Sequence, residues 1–250
     1  MDRRVLLKNG LLVGAASSLY APSVLTAQEA DRKYRAAVIG HSGRGDFGHR
    51  LDVIFRDFPN IEVVAVANAN ASKHEDSKKR TGAPQAYADY RKMLEEAKPD
   101  LVSIAPRWTD QHFAMSKAAL EAGAHIFIEK PFTQSLEEAD ELLALAEKKG
   151  LKIAVAHQIL LDPKVARLKE SIDQGELGDL LEIRVFGKQD ERQGAEDMIV
   201  LGTHLFDMVR YFAGDPLWCT ARVMEKGHEI RKDHIRTARK EDLGPIAGDH

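Results

Sequence analysis

The sequence predicts an α/β protein in which a doubly wound parallel Rossmann sheet is followed by a partial α+β domain with an open sheet. Short β-rich runs alternate with longer helical stretches between residues 34 and 157, which favours parallel strands joined by helical crossovers. The strands lack polar alternation, as expected when helices cover both faces of a sheet. A glycine-rich turn also follows the first strand, as in dinucleotide-binding folds.

The elements of the first sheet follow one another in regular alternation. The predicted strands are YRAAVIG (34–40), IEVVAVAN (61–68), LVSIAP (101–106), AHIFIE (124–129) and KIAVAH (152–157). Helices are predicted between them at residues 46–57, 71–81, 110–123 and 135–149. Beyond residue 158 the pattern predicts a helix at 163–174, a strand at 180–188, a helix at 204–214 and a β-like run near 217–224.

These elements divide the chain into three segments. They are an export signal (1–30), a dinucleotide-binding Rossmann domain (31–157) and an incomplete α/β domain for substrate binding and oligomerisation (158–250). The final residues, 231–250, are polar and lack periodicity, so we expect the chain to stop inside the second domain.

Composition excludes several classes of function. The formal net charge is −3 and charges of both signs are interspersed, so no basic face is available for nucleic acid. Cys219 is the only cysteine, which excludes an intrachain disulfide. The histidines of the last third are too scattered to predict a metal site.

The N-terminus has the layout of an export signal. Arg3 and Arg4 lie in a short basic region, and residues 10–25 form an apolar run rich in small side chains. The arginine pair resembles a twin-arginine signal, which predicts a periplasmic or otherwise exported protein with no stable membrane span after signal removal. The alternatives are an amphipathic N-terminal helix and an uncleaved anchor.

The glycine turn predicts a dinucleotide site. Gly43, Gly45 and Gly48 have GxGxxG spacing directly after a strand, and the helix predicted next would offer free N–H groups to phosphates. An ordinary glycine-rich turn is the alternative. Asn68 ends the second strand, where a carboxylate would select NAD; it leaves NAD and NADP open, with NAD favoured. The predicted cofactor-binding residues of the turn and second strand are Gly40, Ser42, Gly43, Arg44, Gly45 and Asn68.

A strand end further along the chain carries two charges. In HIFIEKPF, Glu129 and Lys130 follow the apolar strand, at the end of the sheet where ligands of open α/β folds bind. The alternative is that the two charges are simply solvated before a turn. Taken with the glycine turn, ADYRKMLEEAKPDLVSIAP, HFAMSKAALEAGAHIFIEKPF and LGTHLFDMVRYFAG, the sequence resembles the Gfo/Idh/MocA oxidoreductase family. The resemblance implies an NAD(P)-dependent reaction on a sugar, cyclitol or related polyol, and a homo-oligomer formed through the second-domain sheet.

The resemblance also implies roles for individual residues. Lys130 would hydrogen-bond the reacting hydroxyl and the nicotinamide ribose, and Glu129 would help to fix the cofactor. Pro106 and His112 would line the nicotinamide side. His204 would exchange the hydroxyl proton, although in a bland interpretation it is a core histidine capped by Asp207.

One departure from the family pattern concerns the partner of this histidine. Many family dehydrogenases carry an aspartate four residues earlier, where this chain has Val200, and Asp197 is the candidate replacement. Two alternatives to a dehydrogenase stay open. One is an NAD-dependent redox-neutral glycoside hydrolase, and the other is a truncated cofactor-binding fragment without activity.

Overall fold

The larger sheet has six parallel strands in the order β3-β2-β1-β4-β5-β6. It is seen in a computed structural model that describes residues 32–187, 201–225 and 227–234. The strands are β1 (Tyr34–Gly40), β2 (Ile61–Asn68), β3 (Gln85–Tyr87), β4 (Leu101–Ile104), β5 (His125–Ile128) and β6 (Ile153–Val155). This is the strand order of a doubly wound Rossmann sheet, so the predicted fold class is confirmed.

Six α-helices are described along the chain. They are α1 (His74–Thr81), α2 (Tyr90–Ala97), α3 (His112–Glu121), α4 (Leu136–Lys149), α5 (Pro163–Asp173) and α6 (Gly202–Ala213). Local signals fix their ends: the Ser135 hydroxyl accepts from the Glu138 N–H at the start of α4, and Gly150 takes a left-handed conformation after it. No helix in the described ranges is both long enough and apolar enough to traverse a bilayer.

Both faces of the sheet are buried. Along β1, Ala37 and Ile39 join one apolar cluster, while Ala36 and Val38 join the other, as the two-residue period of a strand requires. The first cluster also holds the inward faces of α2, α3 and α4. Because both faces are covered by protein, the ends of the strands are where polar side chains can meet a ligand.

The helix predicted at 46–57 is wrong. A short 3₁₀-helix spans Gly48–Arg50, and His49 and Arg50 have φ values of 41° and 64°. The following bonds span three residues, as from the Val53 N–H to the Arg50 carbonyl, instead of the four of an α-helix. The cause is tertiary: the Gly48 N–H donates to the Ala105 carbonyl at 2.7 Å, so the first turn is pinned to the end of β4.

The structure also contains β3 and α2, which the periodicity did not predict. β3 has only three residues, none of them fully buried, so it leaves little apolar pattern to detect. After α5 a predicted element is missing: residues 180–187, which were predicted to form a strand, join no sheet in the described chain. A strand needs a paired neighbour to satisfy its N–H and C=O groups.

The strands described after residue 158 are β7 (Met224–Glu225) and β8 (His228–Glu229), an antiparallel pair two residues long. They replace the run predicted near 217–224, and the described residues form no open second-domain sheet. The boundary at 157 and oligomerisation through that sheet stay predictions.

Candidate active site

The candidate site lies at the carboxyl ends of β1, β4 and β5. Strand order turns back between β1 and β4, which opens a crevice at this edge of a doubly wound sheet. The ladder continues past the strands, because the Glu129 N–H donates to the Ile104 carbonyl at 2.9 Å. Glu129 and Lys130 therefore begin at the sheet edge, and their exposures are 0% and 3%. They are not the solvated charges of the bland interpretation.

The glycine turn packs tightly against the end of β4. A Cβ on Gly45 would lie 2.8 Å from the backbone nitrogens of Arg107 and Trp108, and one on Gly48 would lie 3.1 Å from the Glu129 carboxyl carbon. Gly43 instead has a φ of +84° and faces open space, while a Cβ on Gly40 would overlap the Phe47 ring. Gly45 and Gly48 thus permit close packing, and Gly43 permits the turn.

The turn is closed by its own polar groups. The Asp46 carboxylate accepts from the Gly43 N–H at 3.0 Å, and the Arg44 N–H donates to the His41 carbonyl at 2.9 Å. The Arg44 guanidinium forms an ion pair with Asp110. The Gly43 N–H is therefore already bonded to an acceptor within the turn.

A cleft of about 970 Å³ opens beside the turn. Its lining includes Ser42 and Gly43 and the cations Lys73, Lys79 and Arg80. The open space at Gly43 and the three cations fit the phosphates of a dinucleotide, although the carboxylates of Asp46 and Asp76 share the same lining. The free N–H donors of a helix N-terminus, which the sequence predicted, are not found in the turn, because the N–H groups of Ser42, Gly43 and Arg44 already have acceptors within the protein.

Asn68 is fully buried, and its amide makes four hydrogen bonds within the protein. Its oxygen accepts from the N–H groups of Ser42 and Asn70, each at 3.1 Å. Its nitrogen donates to the hydroxyls of Ser42 at 2.8 Å and Ser77 at 3.0 Å. These bonds use the whole capacity of the amide. In this arrangement Asn68 ties the glycine turn to β2 and α1.

His112 is also fully buried and braces the floor of the site. One ring nitrogen lies 2.7 Å from the Pro106 carbonyl and the other lies 2.8 Å from the Pro131 carbonyl. The ring thus joins the segment after β4 to the segment after β5. It supports the predicted nicotinamide side from behind, since none of its surface reaches the cleft.

Glu129 links the glycine turn to the catalytic candidate Lys130. One of its carboxylate oxygens contacts the Nδ1 atom of His49, while the other is buried without a hydrogen-bond partner among the described residues. Buried, unpaired carboxylate oxygens are costly, and they occur where a ligand or water completes the site. No local sequence signal pointed to His49, because its contact with Glu129 depends on the irregular turn.

His204 lies at the start of α6, 74 residues after Lys130 in the sequence, and the fold places it at the same edge of the sheet. Burial lowers the pKa of His204 to about 4, with contributions from the charges of Lys130, His157 and His49 and an opposing one from Glu129. The imidazole is therefore uncharged at neutral pH, and its Nδ1 is buried without a hydrogen-bond partner in the described part of the chain. A neutral histidine of this kind can accept a proton.

Two further predicted features have different outcomes. Asp197, the candidate replacement carboxylate, lies outside the described residues, as does Val200. Asp207 does not cap His204: its carboxylate faces His157, which ends the KIAVAH run at the same sheet edge. The position of His157 at a strand end was a usable signal that the sequence reasoning passed over.

Comparisons with known proteins agree with this geometry. The model of the Gfo/Idh/MocA oxidoreductase family, with an NAD-binding Rossmann fold, matches residues 34–157. The D-glucoside 3-dehydrogenase of Escherichia coli (strain K12) is 30% identical over 196 residues, covering 73% of this chain and 54% of the relative. The uncharacterized oxidoreductase YrbE of Bacillus subtilis (strain 168) is 28% identical, covering 71% of this chain and 54% of the relative.

A solved structure shares the fold. Apo scyllo-inositol dehydrogenase from Lactobacillus casei has a TM-score of 0.62 at 20% identity, covering 74% of this chain and 56% of that chain. The chain spans about half the length of the curated relatives it matches.

Proposed function

Because the chain belongs, through its Rossmann domain, to the Gfo/Idh/MocA oxidoreductase family, we propose that it is an NAD(P)-dependent oxidoreductase acting on a secondary hydroxyl of a sugar, cyclitol or related polyol. The likeness to a D-glucoside 3-dehydrogenase supports the substrate class. The match at the NAD-binding Rossmann domain supports the cofactor class.

The observation that carries the proposal is that His204 contacts His157, whose strand ends beside the strand that leads to Lys130. The Lys130 ammonium is close enough to contribute to the lowered pKa of His204, after the larger effect of burial. An alcohol that loses a hydride must also lose its hydroxyl proton. His204 is the acceptor for that proton, and the Lys130 ammonium donates a hydrogen bond to the reacting oxygen.

The cofactor is held by residues at the ends of three strands. Gly43 and its neighbours in the turn bind the phosphates, and Glu129 and the wall after β4 hold the nicotinamide half. Nicotinamide, when bound, supplies the acceptor or donor of the hydride.

The test compares the full chain with Lys130→Met on a panel of polyols and glycosides. We expect kcat to fall by about 100-fold or more, because one preorganised donor at the reacting oxygen is lost. The dissociation constant of NADH should change by no more than about threefold. Lys117→Met is the matched control, since Lys117 pairs with Glu141 on the surface of α3 and α4. A Lys130→Met enzyme that turns over as fast as wild type would contradict the proposal.

Aryl glycosides belong in the same panel. Release of the aryl group without net formation of NADH would assign the site to redox-neutral glycoside hydrolysis instead of dehydrogenation. A chain that binds NADH but acts on no substrate of either kind would correspond to a cofactor-binding fragment.

We also propose that the protein is exported. Support comes from Arg3 and Arg4 ahead of a short apolar run, in residues that the structure does not describe. Replacing both arginines with lysine should retain a tagged chain in the cytoplasm, while an unchanged distribution between cytoplasm and periplasm would contradict export by the twin-arginine route.

A further inference from the structure

His157 lies between the sheet edge and helix α6. The Ala156 N–H donates to the Ile128 carbonyl at 2.8 Å, so the end of β6 is fixed beside the strand that leads to Lys130. The His157 ring meets the His204 ring edge to face, with centroids 5.2 Å apart and an interplanar angle of 80°. His157 is thus the residue that connects the Rossmann sheet to the imidazole proposed to accept the proton.

The other side of His157 faces a carboxylate on the same helix. Its Nδ1 lies 3.6 Å from the Asp207 Oδ2, within ion-pair distance, and the two side chains are 22% and 32% exposed. His204 and Asp207 are three residues apart, so they share one face of α6. The single ring of His157 therefore contacts His204 and faces Asp207 at once.

The two histidines share a further property. In the part of the chain that the structure describes, the Nδ1 atoms of both are buried without a hydrogen bond. Leaving such a nitrogen unpaired in a folded protein is destabilising, because it has lost its hydrogen bond to water. An apolar ring at position 157 would pack against His204 as well and avoid that cost, so packing alone does not account for an imidazole there.

Resting on the proposed function, we propose that His157 and Asp207 form a positioning pair for His204. The Asp207 carboxylate draws the His157 imidazole toward α6, and the edge of that ring fixes the plane of His204 with respect to the reacting hydroxyl. No residue at position 200 is needed for this role, because the carboxylate follows His204 on the helix instead of preceding it.

The charged surroundings give the pair a measurable signature. The groups that act on His204 are Lys130, His157 and His49, which disfavour its protonation, and Glu129, which favours it. His157→Phe removes one of the groups that lower the pKa of His204 while keeping an aromatic ring, so the pKa of His204 should rise.

The test uses His157→Phe and Asp207→Asn in the full chain, with His125→Phe as the matched control. His125 lies at the opposite end of the sheet, where its ring nitrogen accepts from the Lys152 N–H. The first measurement is the titration of the His204 ring nitrogens by long-range proton–nitrogen NMR, which needs no substrate. We expect the midpoint to rise in His157→Phe and to stay unchanged in His125→Phe.

The second measurement is steady-state kinetics on a substrate of the wild-type enzyme. We expect both pair variants to lose about tenfold or more in kcat, because a small misplacement of the proton acceptor is costly, with NADH affinity unchanged. An unshifted His204 titration in His157→Phe, or full kcat in Asp207→Asn, would overturn the proposal. Asp207→Asn decides alone if His157→Phe does not fold.

The outcomes also separate this inference from the proposed function. A wild-type chain that oxidises no polyol, but whose His204 titration responds to His157→Phe, would refute the function and retain the pair. A wild-type chain that oxidises polyols, with both variants unaffected, would retain the function and refute the pair.

Discussion

Replacing Asn68 with leucine should destabilise the protein by about 2–3 kcal/mol. The amide makes four hydrogen bonds that leucine cannot make, and each such bond contributes about 0.5–1.5 kcal/mol. Four such bonds amount to about 2–6 kcal/mol, and the lower part of this range applies because only the bond to the Ser77 hydroxyl lies in a fully buried position. For a chain of this size, such a loss lowers the melting temperature by about 4–12 °C.

A matched variant separates the hydrogen bonds from the shape of the side chain. In Asn68→Asp the new carboxylate oxygen replaces the amide nitrogen, and the hydroxyls of Ser42 and Ser77 can rotate to donate to it. We expect this variant to melt within about 3 °C of wild type. It should also bind NADPH more weakly relative to NADH, because the added charge repels a 2′-phosphate.

Thermal unfolding followed by circular dichroism measures both changes. A leucine variant that melts within about 2 °C of wild type would refute the conclusion that this amide holds the turn. An aspartate variant as unstable as the leucine variant would refute the reasoning on hydroxyl rotation.

Three further predictions concern neighbouring parts of the site. Gly45→Ala should lower the melting temperature more than Gly43→Ala, because both glycines have a positive φ but only the first faces backbone atoms at 2.8 Å. The free energy of unfolding should fall as pH drops from about 6.5 towards 4. Burial and the Lys130 charge lower the pKa of His204 in the folded protein, so the unfolded chain binds the proton at a higher pH than the folded protein does. When urea unfolding is measured across this pH range, His204→Gln should flatten the dependence of the unfolding free energy on pH. His112→Phe should cost about 1–3 kcal/mol in the same assay, because a buried carbonyl oxygen of Pro106 or Pro131 loses the ring N–H from which it accepts, and a loss below about 0.5 kcal/mol would contradict the bracing role.

The local sequence pattern was sufficient to predict those elements whose burial agrees with the periodicity of their apolar residues. The apolar run of β1 and the placement of Lys130 at the end of β5 could both be predicted, because a strand buried on both faces has a distinct composition and its end is defined by the charge that follows. The irregular segment 46–57 could not be predicted, since a bond from Gly48 to Ala105, 57 residues away, overrides the local helical pattern.

Side-chain partners were harder to predict than side-chain positions. Asn68 was identified at the correct strand end, but its four bonds depend on how the turn and α1 close around it. The contact between His157 and His204 joins residues 47 positions apart, and no spacing rule relates a strand end to a helix face at that distance. Sequence reasoning therefore assigned the histidine on α6 to a candidate carboxylate nearby in sequence, while the fold supplies a different neighbour.

The glycine turn and the strand end that carries Lys130 form one connected unit. Gly48 bonds to the carbonyl after β4, His49 pairs with Glu129, and a side chain on Gly48 would meet that same carboxyl group. A substitution at Gly48 or His49 must therefore disturb Glu129, which immediately precedes Lys130, as well as any phosphate contact. Loss of turnover in a turn variant is evidence about the reacting centre as much as about cofactor affinity. Only direct measurement of NADH binding beside kcat distinguishes the two effects, because the fold joins the glycine turn to the strand end that carries Lys130.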